Sequence, residues 1–428
     1  MQAEIDSIAR TRSDPHLVPI ARGEEQRRAF ALGRPVELIC CALCVAQCVY
    51  LLASFMQGSW ILDADGQPIA TDFVNVWASG REALDGNPTA AYDIAAHKEA
   101  EVAALGHAFA GQYPWIYPPP FLFVAAMLAL LPFIAAYAAW MALTFPAYIA
   151  AVRAIVGERA GFLLACAYPG ILSSLVVGQN GFLTAALIGA ALVLMQRRPV
   201  LAGCLIGLLS FKPHLGILFP LALIAGGNWR VLLVAAGTTT LLALASCSVF
   251  GIETWQAFLH SLPVASEATL TQGRADWAKL QSVFALTRLL GGSVALAWVL
   301  QLTLSGIVAF ALCELWRSRI RGELKAAALA TGALLVTPYL FVYDLVVLAI
   351  PMAFLMRVGF SGGFLRGEMM GMGIASFLVL IFPLATAPVG LAAVVLVGSL
   401  IVRRVWREWQ SVPSNEAPTA EISPPARP

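Results

Sequence analysis

Charge is scarce in this sequence. Lys and Arg number 27 and Asp and Glu 25 in 428 residues, so charged side chains make up 12% of the chain against 59% hydrophobic. A water-soluble protein of this length needs more charge to cover its surface, which excludes a string of soluble domains. The net charge is +2, with no basic stripe of the kind a nucleic-acid partner requires. Polar stretches contain no cysteine. Cys40, Cys41, Cys44, Cys48, Cys166, Cys204, Cys247 and Cys313 all lie in apolar runs, where an extracytoplasmic disulfide is not expected. Cys40, Cys44 and Cys48 recur at helical spacing, but no His or carboxylate lies among them, so they read as small apolar filler rather than metal ligands. An internal two-fold hydropathy repeat, common in transporters, is also missing.

Long apolar runs are abundant. They predict an all-α, polytopic integral membrane protein with about 12 transmembrane helices. Residues 1–35 form a polar tail carrying Arg10, Arg12, Arg22, Arg27, Arg28 and Arg34, and an apolar run over 36–57 follows. Without a small-residue cleavage signature, that run reads as an uncleaved first helix with its N-terminus held inside by the arginines. Residues 58–117 form a polar, acidic loop expected on the outer side, and 251–292 a second one. Arg197, Arg198, Arg230, the Arg317–Lys325 cluster, Arg357, Arg366, Arg403, Arg404 and Arg407 fit the inner side. The resulting domain is 36–405, with a Pro- and Ser-rich cytoplasmic tail over 406–428 that reads as disordered. Thirteen apolar segments conflict with two inner termini, which require an even number of crossings. The odd one is placed within 118–177, where Pro118, Pro119, Pro120 and Pro132 interrupt the run, as a short or re-entrant segment.

Polar islands between apolar runs are the candidate chemistry. Asp72 precedes Phe73, Val76, Trp77 and Leu84, a spacing that predicts a short amphipathic helix on the membrane surface. Its carboxylate is either the cap of that helix or a functional group. Asp93, ahead of a run ending at Gly106, reads as a plain helix cap. Tyr117, before three prolines, opens a helix or joins an interfacial aromatic belt with Tyr113 and Trp115. Gln179 and Asn180 form a turn or a contact to a sugar or phosphate. Lys212 and His214 flank Pro213 at the break between 199–211 and 213–227. A charge at such a depth is costly unless partnered, which favours function over snorkelling. Asp344 heads the run 344–357 as a cap or a site carboxylate, and Arg274 and Arg288 in the second loop bind phosphate or are simply solvated.

Together these pieces resemble glycosyltransferase family 87, the polyprenyl-phosphate-mannose-dependent mannosyltransferases of GT-C fold. The matching residues are Asp72-Phe73, Arg81 to Pro88, Ala91-Tyr92-Asp93, Tyr117-Pro118-Pro119, Leu131-Pro132, Ala139-Trp140, Gly178-Gln179-Asn180, Ala202-Gly203, Phe211-Lys212-Pro213, Asn228-Trp229-Arg230, Pro338 and Tyr343-Asp344. They run in order through roughly 36–405. Val74-Asn75-Val76 departs from the family, whose members often carry a tyrosine there. The resemblance implies juxtamembrane helices in the first outer loop and a hexose donor, mannose on a polyprenyl phosphate. It also implies a lipid or glycan acceptor at the outer face of the plasma membrane, and Asp72 as catalytic base. A single carboxylate with no covalent intermediate gives inversion, and the phosphate leaving group needs positive charge rather than a general acid. Lys212, His214 or an arginine of the second loop could supply it. No cofactor or metal is expected. The competing readings are a transporter or flippase, and a polysaccharide polymerase or ligase whose main catalytic loop would be 251–292.

Overall fold

The computed structural model describes residues 32–411 except 275 and 386. Most of the two tails, 1–31 and 412–428, lies outside the described residues. The chain is helical, and the described residues contain isolated β-bridges but no named strand.

Helix α1 (Arg34–Met56) is followed by a loop carrying two short helices, α2 (Phe73–Leu84) and α3 (Ile94–Leu105). Then come α4 (Leu122–Ala129), α5 (Phe133–Val156), α6 (Glu158–Ala167), α7 (Gly170–Val177) and α8 (Gly181–Leu194). Next are α9 (Pro199–Leu208), α10 (Pro213–Gly216), α11 (Leu218–Ala225), α12 (Trp229–Phe250) and α13 (Ile252–Ser266). The last are α14 (Val283–Leu289), α15 (Val294–Arg317), α16 (Gly322–Leu335), α17 (Ala349–Gly362), α18 (Glu368–Leu380) and α19 (Val389–Ser411).

Among the described residues, six helical stretches are long and apolar enough to cross a bilayer, or seven if the bent pair α6–α7 is one span. The expected dozen is therefore met only in part. Prolines and glycines cut several runs short: Pro199–Phe211 and Pro213–Ala225 are separate helices, as are Pro119–Ala129 and Gly181–Leu194. At about 1.5 Å per residue, a 10–14-residue helix covers roughly half of a ~30 Å hydrocarbon core. The irregular segment expected within 118–177 has a counterpart in α6–α7, which bend by 65°. Lipid-type exposure is marked on α1, where Leu38, Ile39, Val45, Val49 and Leu52 are exposed. Polar glue ties α1 to the body: buried Gln47 donates from Nε2 to the carbonyl of Cys166 at 3.1 Å.

The centre of the bundle is α8, packed on α5, α9 and the 3₁₀ turn Val342–Leu348. In the first loop, α2 is more buried than a surface helix should be. Phe73, Val74, Val76 and Ala78 are buried, and so are Asn75, Ser79 and Glu82. Gly80 explains the close docking on α4, because a Cβ there would stand 2.1 Å from the carbonyl oxygen of Ala125. Helix α3 behaves as its local sequence predicts: Asp93 Oδ1 accepts from the amides of Ala95 and Ala96, and Gly106 closes it at φ 78°. At the other end of the chain, α19 continues through 406–411, where a tail was expected.

Candidate active site

Asp72 stands at the N-terminus of α2, yet its side chain caps nothing. Instead Oδ2 accepts a hydrogen bond from Nε2 of Gln179 at 3.0 Å. The local backbone makes this meeting possible. Gly178 ends α7 at φ 71°, a left-handed conformation that favours glycine. A Cβ there would lie 2.6 Å from Cβ of Phe73 and 2.8 Å from the Tyr137 ring. On the far side of the same turn, a Cβ on Gly181 would stand 2.5 Å from the carbonyl oxygen of Tyr343. The turn is thus squeezed between the start of α2 and the Tyr343 segment, and only small residues fit at both pinch points.

Gln179 is the hub. Its Oε1 accepts from the Tyr117 hydroxyl at 3.0 Å and from the amide of Asn180 at 3.2 Å. Tyr92 fixes the Tyr117 backbone by donating to its carbonyl at 2.9 Å. The Asn180 side chain is buried beside this network and acts on the Tyr117 hydroxyl. From Tyr117 a column of rings continues: Tyr117 to Phe121 at 4.9 Å, then Phe121 stacked on Phe211 at 4.8 Å. Phe211 directly precedes Lys212.

Lys212 sits at the break before α10, buried, with Nζ 2.5 Å from Oδ1 of Asp344. The ammonium also stands 5.3 Å from the centroid of the Tyr343 ring. Asp344 therefore makes no cap; its carboxylate neutralises Lys212. Burial pushes the Asp72 carboxyl above the usual carboxylate range, opposed by the Gln179 hydrogen bond and by Lys279 and Lys212, and reinforced by Asp344. Burial likewise raises the Tyr117 hydroxyl, so it acts as a neutral donor.

The other predicted residues lie apart from this hub or are engaged elsewhere. His214 faces the Tyr339 ring at 6.3 Å. Arg274 is exposed on the turn after α13. Arg288 closes the second loop, donating to the carbonyls of Gly292 at 2.7 Å and Thr271 at 3.2 Å while lying over Trp277.

Two features were not singled out in the sequence. Lys279 is exposed yet acts electrostatically on Asp72. Glu82, His97 and Glu101, within the acidic loop expected on the outer side, are buried together. His97 Nδ1 lies 3.0 Å from Oε2 of Glu82, and Glu101 accepts from the amide of Tyr113 at 3.1 Å. The i, i+4 pairing of His97 and Glu101 was the available signal. Their meeting with Glu82, on another helix, had none. Among the described residues no group of three or more His, Cys, Asp or Glu is arranged to hold a metal ion.

A family comparison gives the chain its class. The model of glycosyltransferase family 87 matches residues 115–338, more than half of the chain. The chain belongs to glycosyltransferase family 87. The matched region of this glycosyltransferase carries Tyr117, Gln179, Asn180 and Lys212, while Asp72 and Asp344 flank it. No curated protein and no solved structure matches the chain. Family membership makes it a glycosyltransferase with a sugar donor and an acceptor, which sets aside the transporter reading.

Proposed function

We propose that this enzyme transfers a hexose, mannose by family resemblance, from a polyprenyl phosphate to a lipid or glycan acceptor. The reaction takes place at the outer face of the plasma membrane, with both termini cytoplasmic, and inverts the anomeric centre. Asp72 is the base. The acceptor hydroxyl attacks C1 of the sugar and its proton passes to the Asp72 carboxylate. The new C1–O bond forms as the bond from C1 to the phosphate oxygen breaks, and the polyprenyl phosphate departs with the electron pair.

The observation that carries this reading is the Asp72 side chain. It is aimed away from its own helix and held by Gln179 between two halves of the chain. A carboxylate whose proton affinity is raised by burial is a better base at neutral pH than an ordinary one. Gln179, Asn180 and Tyr117 are the groups placed to meet sugar hydroxyls. Lys212, partnered by Asp344, lies beside the Tyr343 ring, while His214, Arg274 and Arg288 lie apart from the Asp72–Gln179 hub or are engaged elsewhere.

The test is transfer from a radiolabelled polyprenyl-phosphate mannose to membrane acceptors by purified enzyme, wild type against Asp72→Asn. Transfer at wild-type rate in the variant would remove Asp72 as base. Wild-type transfer from a nucleotide sugar but not from the lipid phosphate would remove the donor assignment.

A further inference from the structure

A departing phosphate gains negative charge as the glycosidic bond breaks, so the site needs a cation free to meet it. Two of the cations picked out by sequence are already engaged. Lys212 is buried and neutralised at 2.5 Å by Asp344. The Arg288 guanidinium donates from its two terminal nitrogens to loop carbonyls and lies over the Trp277 ring, which holds it in the loop.

Lys279 differs from both. It ends the short 3₁₀ turn Trp277–Lys279, is exposed, and among the described residues has no carboxylate partner. The carboxylate nearest in sequence, Asp276, accepts instead from the amide of Ala278 at 3.0 Å. The backbone just after Lys279 is fixed to the candidate site. Leu280 is buried and bridges to Phe341, the Gln281 amide donates to the carbonyl of Leu340 at 2.6 Å, and the Ser282 hydroxyl to that of Pro338 at 2.9 Å. Phe341 stacks on Tyr343 at 5.3 Å, beside the Lys212–Asp344 pair. The second loop is thereby pinned to the polar break near Asp72, and Lys279 is within electrostatic reach of that carboxylate. Of the two lysines that act electrostatically on the Asp72 carboxylate, Lys212 is paired with Asp344, while Lys279 makes no ion pair among the described residues.

We propose that Lys279 is the residue that binds the phosphate of the lipid-phosphate donor and takes up the charge of the leaving group. This rests on the proposed donor class. As C1 transfers to the acceptor oxygen, the electron pair of the breaking bond stays on the phosphate oxygen facing the Lys279 ammonium, and the acceptor proton goes to Asp72. Solvent exposure before substrate arrives is what a phosphate-binding lysine requires, because the ligand must reach it.

The experiment measures binding of a polyprenyl phosphate, and of the polyprenol of equal length, to the full-length protein in detergent. Inorganic phosphate and phosphatidylglycerol are run as parallel probes. Wild type is expected to prefer the phosphate over the alcohol. Lys279→Ala should lose roughly ten- to hundredfold of that preference, the worth of a charge-assisted hydrogen bond, while Lys279→Arg retains most of it. An unchanged thermal midpoint in Lys279→Ala would show that the fold is intact, as expected for an exposed side chain. A phosphate preference that survives in Lys279→Ala overturns the Lys279 assignment and leaves the donor class standing. No preference in wild type overturns both. Equal weakening of phosphatidylglycerol binding, or inorganic phosphate competing as well as the lipid, also overturns it, because the lysine would then be a general headgroup or anion contact.

Discussion

Gln179 donates to Asp72 at 3.0 Å across 107 residues of sequence, and the same amide group accepts from Tyr117 at 3.0 Å. One side chain thus orients the proposed base, stabilises its charged form and joins it to the first loop's end.

Asp72→Asn separates chemistry from stability. Loss of a general base costs about 10²–10⁴ in rate, so transfer should fall into that range. The carboxyl's proton affinity is raised by folding, so the acid's contribution to stability is full at low pH. It is lost as pH rises through the folded-state value. At neutral pH the charged form is therefore a cost that asparagine removes. The thermal midpoint of Asp72→Asn at pH 7 should equal or exceed that of wild type, by about 1–2 °C. A lower midpoint with the loss of transfer would assign Asp72 a structural role.

Gln179→Ala should move the pH profile. The hydrogen bond from Gln179 favours the charged carboxylate, so removing it raises the Asp72 proton affinity further. Transfer requires the deprotonated base. The acid limb of the rate profile, already above the ordinary carboxylate range, should shift to higher pH, with a lower plateau from the disordered Tyr117. A plateau change without any shift would mean that Gln179 serves only to hold substrate.

Parts of this arrangement were legible in the sequence, and Asp93 and Asp72 show where legibility stops. Both precede a run with helical apolar spacing. Asp93 caps its helix, and Gly106 closes it, because all of that information is local. Asp72 looks the same over ten residues but turns to a partner in the turn between α7 and α8, which no local pattern encodes. Long spans such as α5, α12 and α15 were readable from unbroken apolar runs. The break at Pro213 was visible, and the segments beside it are too short to span alone, but hydropathy does not say how such pieces bend, so the total stayed near a dozen. Lys279 was missed for a similar reason: its importance depends on Leu280 bridging to Phe341. Glu82 and Glu101 fell within the acidic loop expected on the outer side, although they are 8% and 1% exposed; the contact of Glu82 with His97 forms only when α2 and α3 pack.

Gly178→Ala tests the pinch that brings Asp72 and Gln179 together. The residue has φ 71°, and the added methyl would meet Phe73 Cβ at 2.6 Å. Left-handed strain in a non-glycine residue costs of order 1–3 kcal/mol, and the clash adds to it. The variant should lose several degrees of thermal midpoint and most of its transfer. Gly363→Ala also has a positive φ but open space around it, so it should lose stability without a comparable loss of transfer. Equal effects on transfer would mean that backbone strain alone is responsible.

Lys212 and Asp344 give the sharpest distinction between holding the fold and holding the substrate. Both are buried, at 3% and 1% exposure, and they meet at 2.5 Å. Removing one partner leaves a buried charge unpaired, which costs about 3–5 kcal/mol, whereas replacing both with apolar residues of similar volume is often neutral. Lys212→Met and Asp344→Leu should each destabilise the protein strongly, and the double variant should recover most of the lost thermal midpoint. If the pair only holds the broken helices together, transfer recovers with stability in the double variant. If Lys212 also touches the donor, stability returns and transfer does not. Thermal denaturation and transfer assays on the same four proteins decide between the two, and a double variant as unstable as the singles would show that the pair is not self-compensating.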